Sequence, residues 1–146
     1  MRTIGKIVVV GSANMDMVIA VQRLPRHGET ITGEDLRLFP GGKGANQACS
    51  AGRLGGRVEM IGQVGDDAFG ASLVDSLTAA NVDVRGIGRS SRPTGCASIY
   101  VMRDGQNSIV ISPGANATLD PETAVQRLEV GEGDLVLCQL ETPLDT

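Results

Sequence analysis

Short apolar runs alternate along the chain with stretches in which apolar residues recur at helical spacing. The run KIVVVG at 6–11 is rich in β-branched residues and ends in glycine, which is typical of a buried parallel strand. The alternation predicts an α/β fold on a parallel sheet, with KIVVVG as its central first strand. The other predicted elements are a helix at 44–54, a strand at 57–62, a helix at 67–80, a strand beginning at 83–87, a helix at 120–128 and another buried strand at 135–140.

Two segments, 17–39 and 96–112, break this alternation with additional β-rich sequence. The second predicts a hairpin, because the turn residues at 104–105 (Asp-Gly) separate two β-branched runs. Residues 94–95 are expected to shape the entry to the hairpin and residues 113–116 its exit. Both segments are predicted to leave the main sheet and to form a small separate sheet that covers the site.

Composition limits the class of protein. The 146 residues are 41% hydrophobic, which is enough for one domain with a core. A net charge of −4 and 2% aromatic residues argue against a nucleic-acid-binding surface. The cysteines Cys49, Cys96 and Cys138 are isolated, which predicts a reducing, cytoplasmic compartment and no disulfide framework. The apolar run near the start is too short for an export signal or a membrane span, so no membrane partner is predicted.

The segment GGKGANQA at 41–48 places three glycines around a lysine before a predicted helix. It is not a Walker A loop, since Arg37 stands where the first glycine is needed, and Gln47 occupies the third glycine of a dinucleotide fingerprint. Two interpretations remain. The loop lets backbone and short side chains approach a polar ligand, with Lys43 and Asn46 as donors, or the glycines only make a tight turn.

A second polar cluster, GSANMD at 11–16, directly follows the first strand. Open α/β sheets bind ligands at the carboxyl ends of their strands, where Asn14 and Asp16 would project. Asp16 can accept two hydrogen bonds from hydroxyls and Asn14 can donate and accept, so the pair suits a vicinal diol. A sugar therefore fits better than a phosphate, although each residue alone could simply cap a turn. Glu141, after the strand at 135–140, is predicted to lie at the same edge.

Seven stretches in one order through nearly the whole chain resemble the ribokinase family of carbohydrate kinases, also called the PfkB family. They are GSANMD at 11–16, GETITG at 28–33, GGKGANQA at 41–48, IGQVGDDAFG at 61–70, TGCA at 94–97, PGAN at 113–116 and QLETP at 139–143. The resemblance implies a Rossmann-like three-layer α/β fold with helices on both faces of the sheet. It also implies a small β-sheet lid, with strands within 17–39 and 96–112, that covers the sugar and forms a homodimer contact.

The resemblance also implies a binding site and a reaction. The residues implied to bind the hydroxyls of ribose are Asn14, Asp16, Gly42, Lys43, Asn46 and Glu141. Ala97, Ile99 and Ile111 from the lid would pack against the sugar ring. The implied reaction transfers the γ-phosphoryl group of ATP, with Mg²⁺ and a monovalent cation in the full-length family, to the 5-hydroxyl of ribose.

Family members are about twice this length, as α/β domains often are. Residues 1–146 are therefore predicted to be the N-terminal part of such a domain, without its C-terminal nucleotide-binding part. The nucleotide, metal and catalytic-base motifs of the family lie beyond residue 146, so no catalytic residue or metal ligand is predicted here. The stretch VGEGD at 130–134 does not replace them, because Glu132 would put negative charge where phosphate binds. The chain alone is expected to be inactive.

Other functions remain open from the sequence. The chain could belong to a kinase of another sugar or of a nucleoside in the same family, although so few aromatic residues disfavour a site that stacks a base. It could also be a sugar-binding or dimerising module without catalysis. Binding of ribose without ATP would favour the module.

Overall fold

The computed structural model describes residues 5–146, which form two β-sheets and three α-helices. The strands are β1 (Ile7–Val10), β2 (Asn14–Val21), β3 (Arg37–Gly41), β4 (Val58–Gly65), β5 (Val82–Asp83), β6 (Ile87–Ser90), β7 (Gly95–Met102), β8 (Asn107–Ser112) and β9 (Leu135–Cys138). The helices are α1 (Lys43–Arg53), α2 (Ala68–Ala79) and α3 (Pro121–Arg127), with a 3₁₀ turn at Gly114–Thr118.

The main sheet is parallel and has the strand order β5-β4-β1-β9, with β6 also paired to β4. Strand β1 lies between β4 and β9, as its apolar sequence predicts. Its side chains alternate between two cores. Val9 packs in the core that α1 and α2 cover, whereas Val8 and Val10 pack on the opposite face with Leu119 and with Ala124 of α3. The predicted layers, with helices on both faces of a parallel sheet, are thus confirmed.

The second sheet, called the lid here, has the order β3-β2-β7-β8. The predicted hairpin is β7 and β8, and Gly105 supplies the positive φ of its turn. The segment 17–39 differs from the prediction, because β2 already begins at Asn14 and residues 22–36 contain no strand. Pro25 and Gly28, which has φ +76°, interrupt that stretch.

The predicted strand at 83–87 is instead two short strands. β5 ends at Asp83 and β6 begins at Ile87, and the intervening Arg85 bonds back to the Asp83 carboxylate. The reason is the length of β4, which continues to Gly65, three residues past the predicted end. β5 pairs with the start of β4 and β6 with its end.

A strand was predicted at 135–140, and one forms at Leu135–Cys138, but the prediction that it is buried is wrong. β9 forms and pairs with β1, but Leu135, Val136 and Leu137 remain 59%, 42% and 38% exposed. β9 is an edge strand of the sheet, and residues 5–146 cover its apolar side chains only in part. An edge strand with exposed apolar side chains is a template for pairing with another chain.

This edge predicts concentration-dependent self-association of the 146-residue chain. We expect Leu135→Lys to reduce it, because a lysine on an edge strand opposes pairing with a second strand. Sedimentation velocity at several protein concentrations measures the effect. Leu54→Lys is the matched control, since Leu54 is 89% exposed but follows helix α1 instead of lying on a sheet edge. Equal behaviour of the two variants would rule out β9 as the associating surface.

Candidate functional site

A cavity of about 160 Å³ lies between the inner face of the lid and the start of α1. All nine residues proposed from the sequence line it: Asn14, Asp16, Gly42, Lys43, Asn46, Ala97, Ile99, Ile111 and Glu141. The structure adds Ile109 to this set. Residues from five separate parts of the chain therefore meet at one place, where the polar side chains of β2, of α1 and of Glu141 lie next to apolar side chains of β7 and β8.

The lid strand β2 positions Asn14 and Asp16, which were predicted to project at the carboxyl end of the first strand. They are two residues apart on one strand and therefore project from the same face. Asn14 lies opposite Gly41 on β3 and Gly95 on β7, while Asp16 lies opposite Ala97 on β7. A Cβ at Gly41 would collide with the Asp16 carboxylate, so glycine there leaves room for the acid.

The glycine loop brings α1 against the connection between β1 and β2. Gly42 has φ +94°, and a Cβ there would lie 2.8 Å from the Ala13 Cα and the Asn14 amide nitrogen. A Cβ on Gly44 would lie 2.7 Å from the Ser12 amide nitrogen. These two glycines thus permit close contact between two protein segments, where the sequence suggested approach to a ligand or a tight turn. Their effect on the site is to place Lys43 and Asn46 beside Asn14.

The Glu141 side chain lies at the N-terminus of α1 and holds Lys43, the first residue of that helix. Its carboxylate accepts hydrogen bonds from the Lys43 backbone N–H (3.1 Å) and from the Ser12 hydroxyl (2.7 Å), and it forms an ion pair with the Lys43 ammonium group. Burial raises the pKa of Glu141, but these hydrogen bonds and the lysine charge outweigh burial, so the pKa lies below its ordinary value. Glu141 is therefore an ionised anchor for Lys43, and a carboxylate at a helix N-terminus is favourable.

Asp16 has the opposite environment. Its side chain is half-buried, and within residues 5–146 no protein group donates a hydrogen bond or forms an ion pair with it. Burial is the main reason that the pKa of Asp16 lies above its ordinary value, and the negative charge of Glu141 raises it further. An ionised carboxylate in this position has unfilled capacity to accept hydrogen bonds from a ligand.

On the same face of the lid as Asp16, strands β7 and β8 supply apolar side chains. Ala97 and Ile99 on β7 lie directly across from Ile111 and Ile109 on β8, so all four side chains project to one face. Ala97 is buried, while Ile109 and Ile111 remain about half exposed at 49% and 47%. A ligand with a polar edge and a less polar face would match both walls of the cavity.

Two residues that support the site were not predicted from the sequence. Ser12, fully buried, bonds to Glu141. Asn116 was assigned only to the exit of the hairpin, but it is 2% exposed and hydrogen-bonds to Ala13 and Asn14. Ser12 lies in the motif GSANMD and Asn116 in the motif PGAN. Their membership of these motifs was the only sign in the sequence that they support the site.

No three His, Cys, Asp or Glu side chains in residues 5–146 are grouped so that they could hold a metal ion. No helix there is long and apolar enough to cross a membrane.

Comparison with known proteins agrees with the fold. The ribokinase of Bacillus subtilis is 40% identical over 141 residues, covering 96% of this chain and 48% of the relative. The crystal structure of Arabidopsis thaliana ribokinase complexed with ribose and ATP superposes with a TM-score of 0.79 at 35% identity, covering 97% of this chain and 47% of that one. The ribokinase of Cryptococcus neoformans var. grubii in complex with ADP gives a TM-score of 0.84 at 37% identity, covering 96% and 43%.

The chain thus spans about half the length of the curated relatives it matches. The model of the pfkB family carbohydrate kinases matches residues 5–140, which is most of the chain. The chain belongs to the pfkB family of carbohydrate kinases.

Proposed function

We propose that this chain provides the sugar-binding site and lid of a ribokinase, which phosphorylates D-ribose at its 5-hydroxyl with ATP. The observation that carries the proposal is the Asp16 carboxylate, which faces the cavity without a protein partner in residues 5–146. A half-buried carboxylate of this kind is stabilised when ligand hydroxyls donate to it. The relatives named ribokinase, one of them solved with ribose and ATP, support ribose as the sugar.

Each wall of the cavity has a separate role in this proposal. Asp16 accepts hydrogen bonds from neighbouring hydroxyls, and Asn14, Lys43 and Asn46 are the donors around it. The apolar lid side chains cover the less polar face of the ring and exclude water. Phosphoryl transfer depends mainly on positioning and on stabilising charge, so holding the sugar rigidly is this chain's contribution to the reaction.

The phosphoryl donor requires residues other than those described. ATP, together with Mg²⁺ and a monovalent cation, would supply the transferred group and neutralise its charge. We place the nucleotide, the cations and the catalytic base in the part of the relatives' length that this chain does not span. The 146-residue chain is accordingly expected to bind sugar without turning it over.

We also propose that two copies associate through the lid. Leu38 and Val110, which project from the face of the lid opposite the cavity, are 48% and 68% exposed. Exposed apolar surface of this extent on a sheet favours an interface.

The cysteines Cys49, Cys96 and Cys138 are free, which supports a reducing, cytoplasmic compartment.

Isothermal titration calorimetry of the monodisperse 146-residue chain tests the proposal. We expect ribose to bind and ATP with Mg²⁺ not to bind. Tighter binding of fructose than of ribose would instead indicate a kinase of another sugar. If a folded chain binds neither sugar, the assignment of this cavity is wrong, and if it binds ATP, the placement of the nucleotide site is wrong.

A further inference from the structure

Asn116 does not line the sugar cavity, but it contacts Asn14, which does. Its side-chain oxygen accepts a hydrogen bond from the Ala13 backbone N–H at 2.9 Å. Its side-chain nitrogen donates to the Ala13 carbonyl at 3.1 Å and to the Asn14 side-chain oxygen at 2.7 Å. A Cβ on Gly95 would collide with both amide groups, so this pair depends on glycine at the start of β7. All three hydrogen bonds are buried.

These contacts determine which way the side-chain amides of Asn116 and Asn14 point. The Ala13 backbone groups fix the direction, because its N–H can only donate a hydrogen bond and its carbonyl can only accept one. A backbone N–H can only donate, so the Asn116 atom that faces the Ala13 N–H must be the oxygen. The Asn116 nitrogen then faces the Ala13 carbonyl, which can only accept, and also the side chain of Asn14. The Asn14 atom that receives this bond must therefore be its oxygen. The remaining nitrogen of Asn14 has no acceptor among residues 5–146 and belongs to a residue that lines the cavity.

We propose that Asn116 is a positioning residue that holds the Asn14 amide with its NH₂ group toward the sugar. This inference rests on the proposed function and goes further, since it assigns a direction to one hydrogen bond. Asp16, two residues along the same strand face, can only accept when ionised. A hydroxyl bound between them donates to Asp16 and accepts from Asn14. The site thus recognises hydroxyl groups that use both of their hydrogen-bonding roles, and it disfavours sugars that lack the hydroxyl.

Hydrogen exchange of the two assigned side-chain amides, followed by NMR in the wild-type chain without ligand, tests the orientation directly. The Asn116 NH₂ protons are expected to exchange about tenfold or more slowly than those of Asn14, because the Asn116 NH₂ group donates two buried hydrogen bonds. Faster exchange at Asn116 than at Asn14 would overturn the proposal. This measurement needs no sugar, so it also decides the orientation if ribose does not bind and the proposed function fails.

A double-mutant cycle tests the consequence for binding. Asn116→Asp keeps the acceptor for the Ala13 N–H but removes the donor, so the Asn14 amide must turn its nitrogen away from the cavity. Ribose affinity is expected to fall about tenfold, and the same change in an Asn14→Ala background is expected to have no further effect. An equal loss in both backgrounds would show that Asn116 acts on the structure as a whole. If Asn116→Asp fails to fold by circular dichroism, the wild-type exchange measurement decides.

Discussion

Replacing Gly42 with alanine is expected to lower the free energy of unfolding by about 2–5 kcal/mol and to abolish ribose binding, since the positive φ contributes about 1–2 kcal/mol and overpacking about 1–3 kcal/mol. The new Cβ would be forced into backbone, 2.8 Å from the Ala13 Cα and the Asn14 amide nitrogen and 2.9 Å from the Ser12 carbonyl oxygen. Backbone at this place cannot move aside without displacing Asn14 from the cavity. Urea unfolding followed by circular dichroism measures the stability, and calorimetry measures the binding.

Gly55→Ala provides the matched control for this prediction. Gly55 has φ +86°, close to the +94° of Gly42, but a Cβ there would meet no atom within 4 Å. It should therefore show only the backbone cost of a positive φ, about 1–2 kcal/mol, and leave ribose binding unchanged. If both variants lose the same stability, the contact of Gly42 with residues 12–14 contributes nothing and only its dihedral angle matters.

The residues that line the cavity could be named from the sequence, some from residue types and their order and the lid residues Ala97, Ile99 and Ile111 only from the family resemblance. Asn14 and Asp16 follow the first strand, and Glu141 follows the last one that is seen here, so the rule that parallel strands present ligands at their carboxyl ends predicted that they meet. The roles of the glycines could not be decided in the same way. A close approach to a ligand and a close approach to the backbone of residues 11–14 both require a missing Cβ, and only coordinates distinguish them.

The features that sequence did not predict depend on distant neighbours. Asn116 bonds to residues more than one hundred positions away, and no local pattern reveals which amide it will meet. The strand at 135–138 was predicted to be buried because a continuous apolar run reads the same in the centre of a sheet and at its edge. The hydrophobic pattern of a sequence gives the polarity of each side chain, whereas the burial of that side chain depends on which other elements pack against it.

Asp16→Asn is expected to weaken ribose binding by tenfold or more while it stabilises the folded chain. The amide keeps the shape of the side chain but loses a charged acceptor, and a hydrogen bond to a charged group contributes about 1.5–3 kcal/mol. Calorimetry gives the affinity and thermal unfolding gives the stability. Asp75→Asn is the control, because Asp75 is an exposed aspartate on α2, away from the cavity. It should change neither quantity.

The expected gain in stability follows from the direction of the pKa shift. Because the pKa of Asp16 is higher in the folded chain than in the unfolded one, ionised Asp16 destabilises the fold at neutral pH. As the pH falls through this raised pKa, the carboxyl group takes up its proton in the folded chain first, and the destabilisation disappears. The stability difference between Asp16→Asn and wild type should therefore be largest at neutral pH and shrink in acid.

Binding should follow the opposite direction over the same range of pH. Ribose hydroxyls donate to the ionised form, so wild-type affinity is expected to fall as Asp16 becomes protonated, while the weak affinity of Asp16→Asn stays constant. A pH-independent affinity in the wild type would mean that the charge of Asp16 is not used for the sugar. A charged group that destabilises the fold and strengthens binding is what a site built for a ligand requires, because the ligand supplies the partners that the protein leaves out.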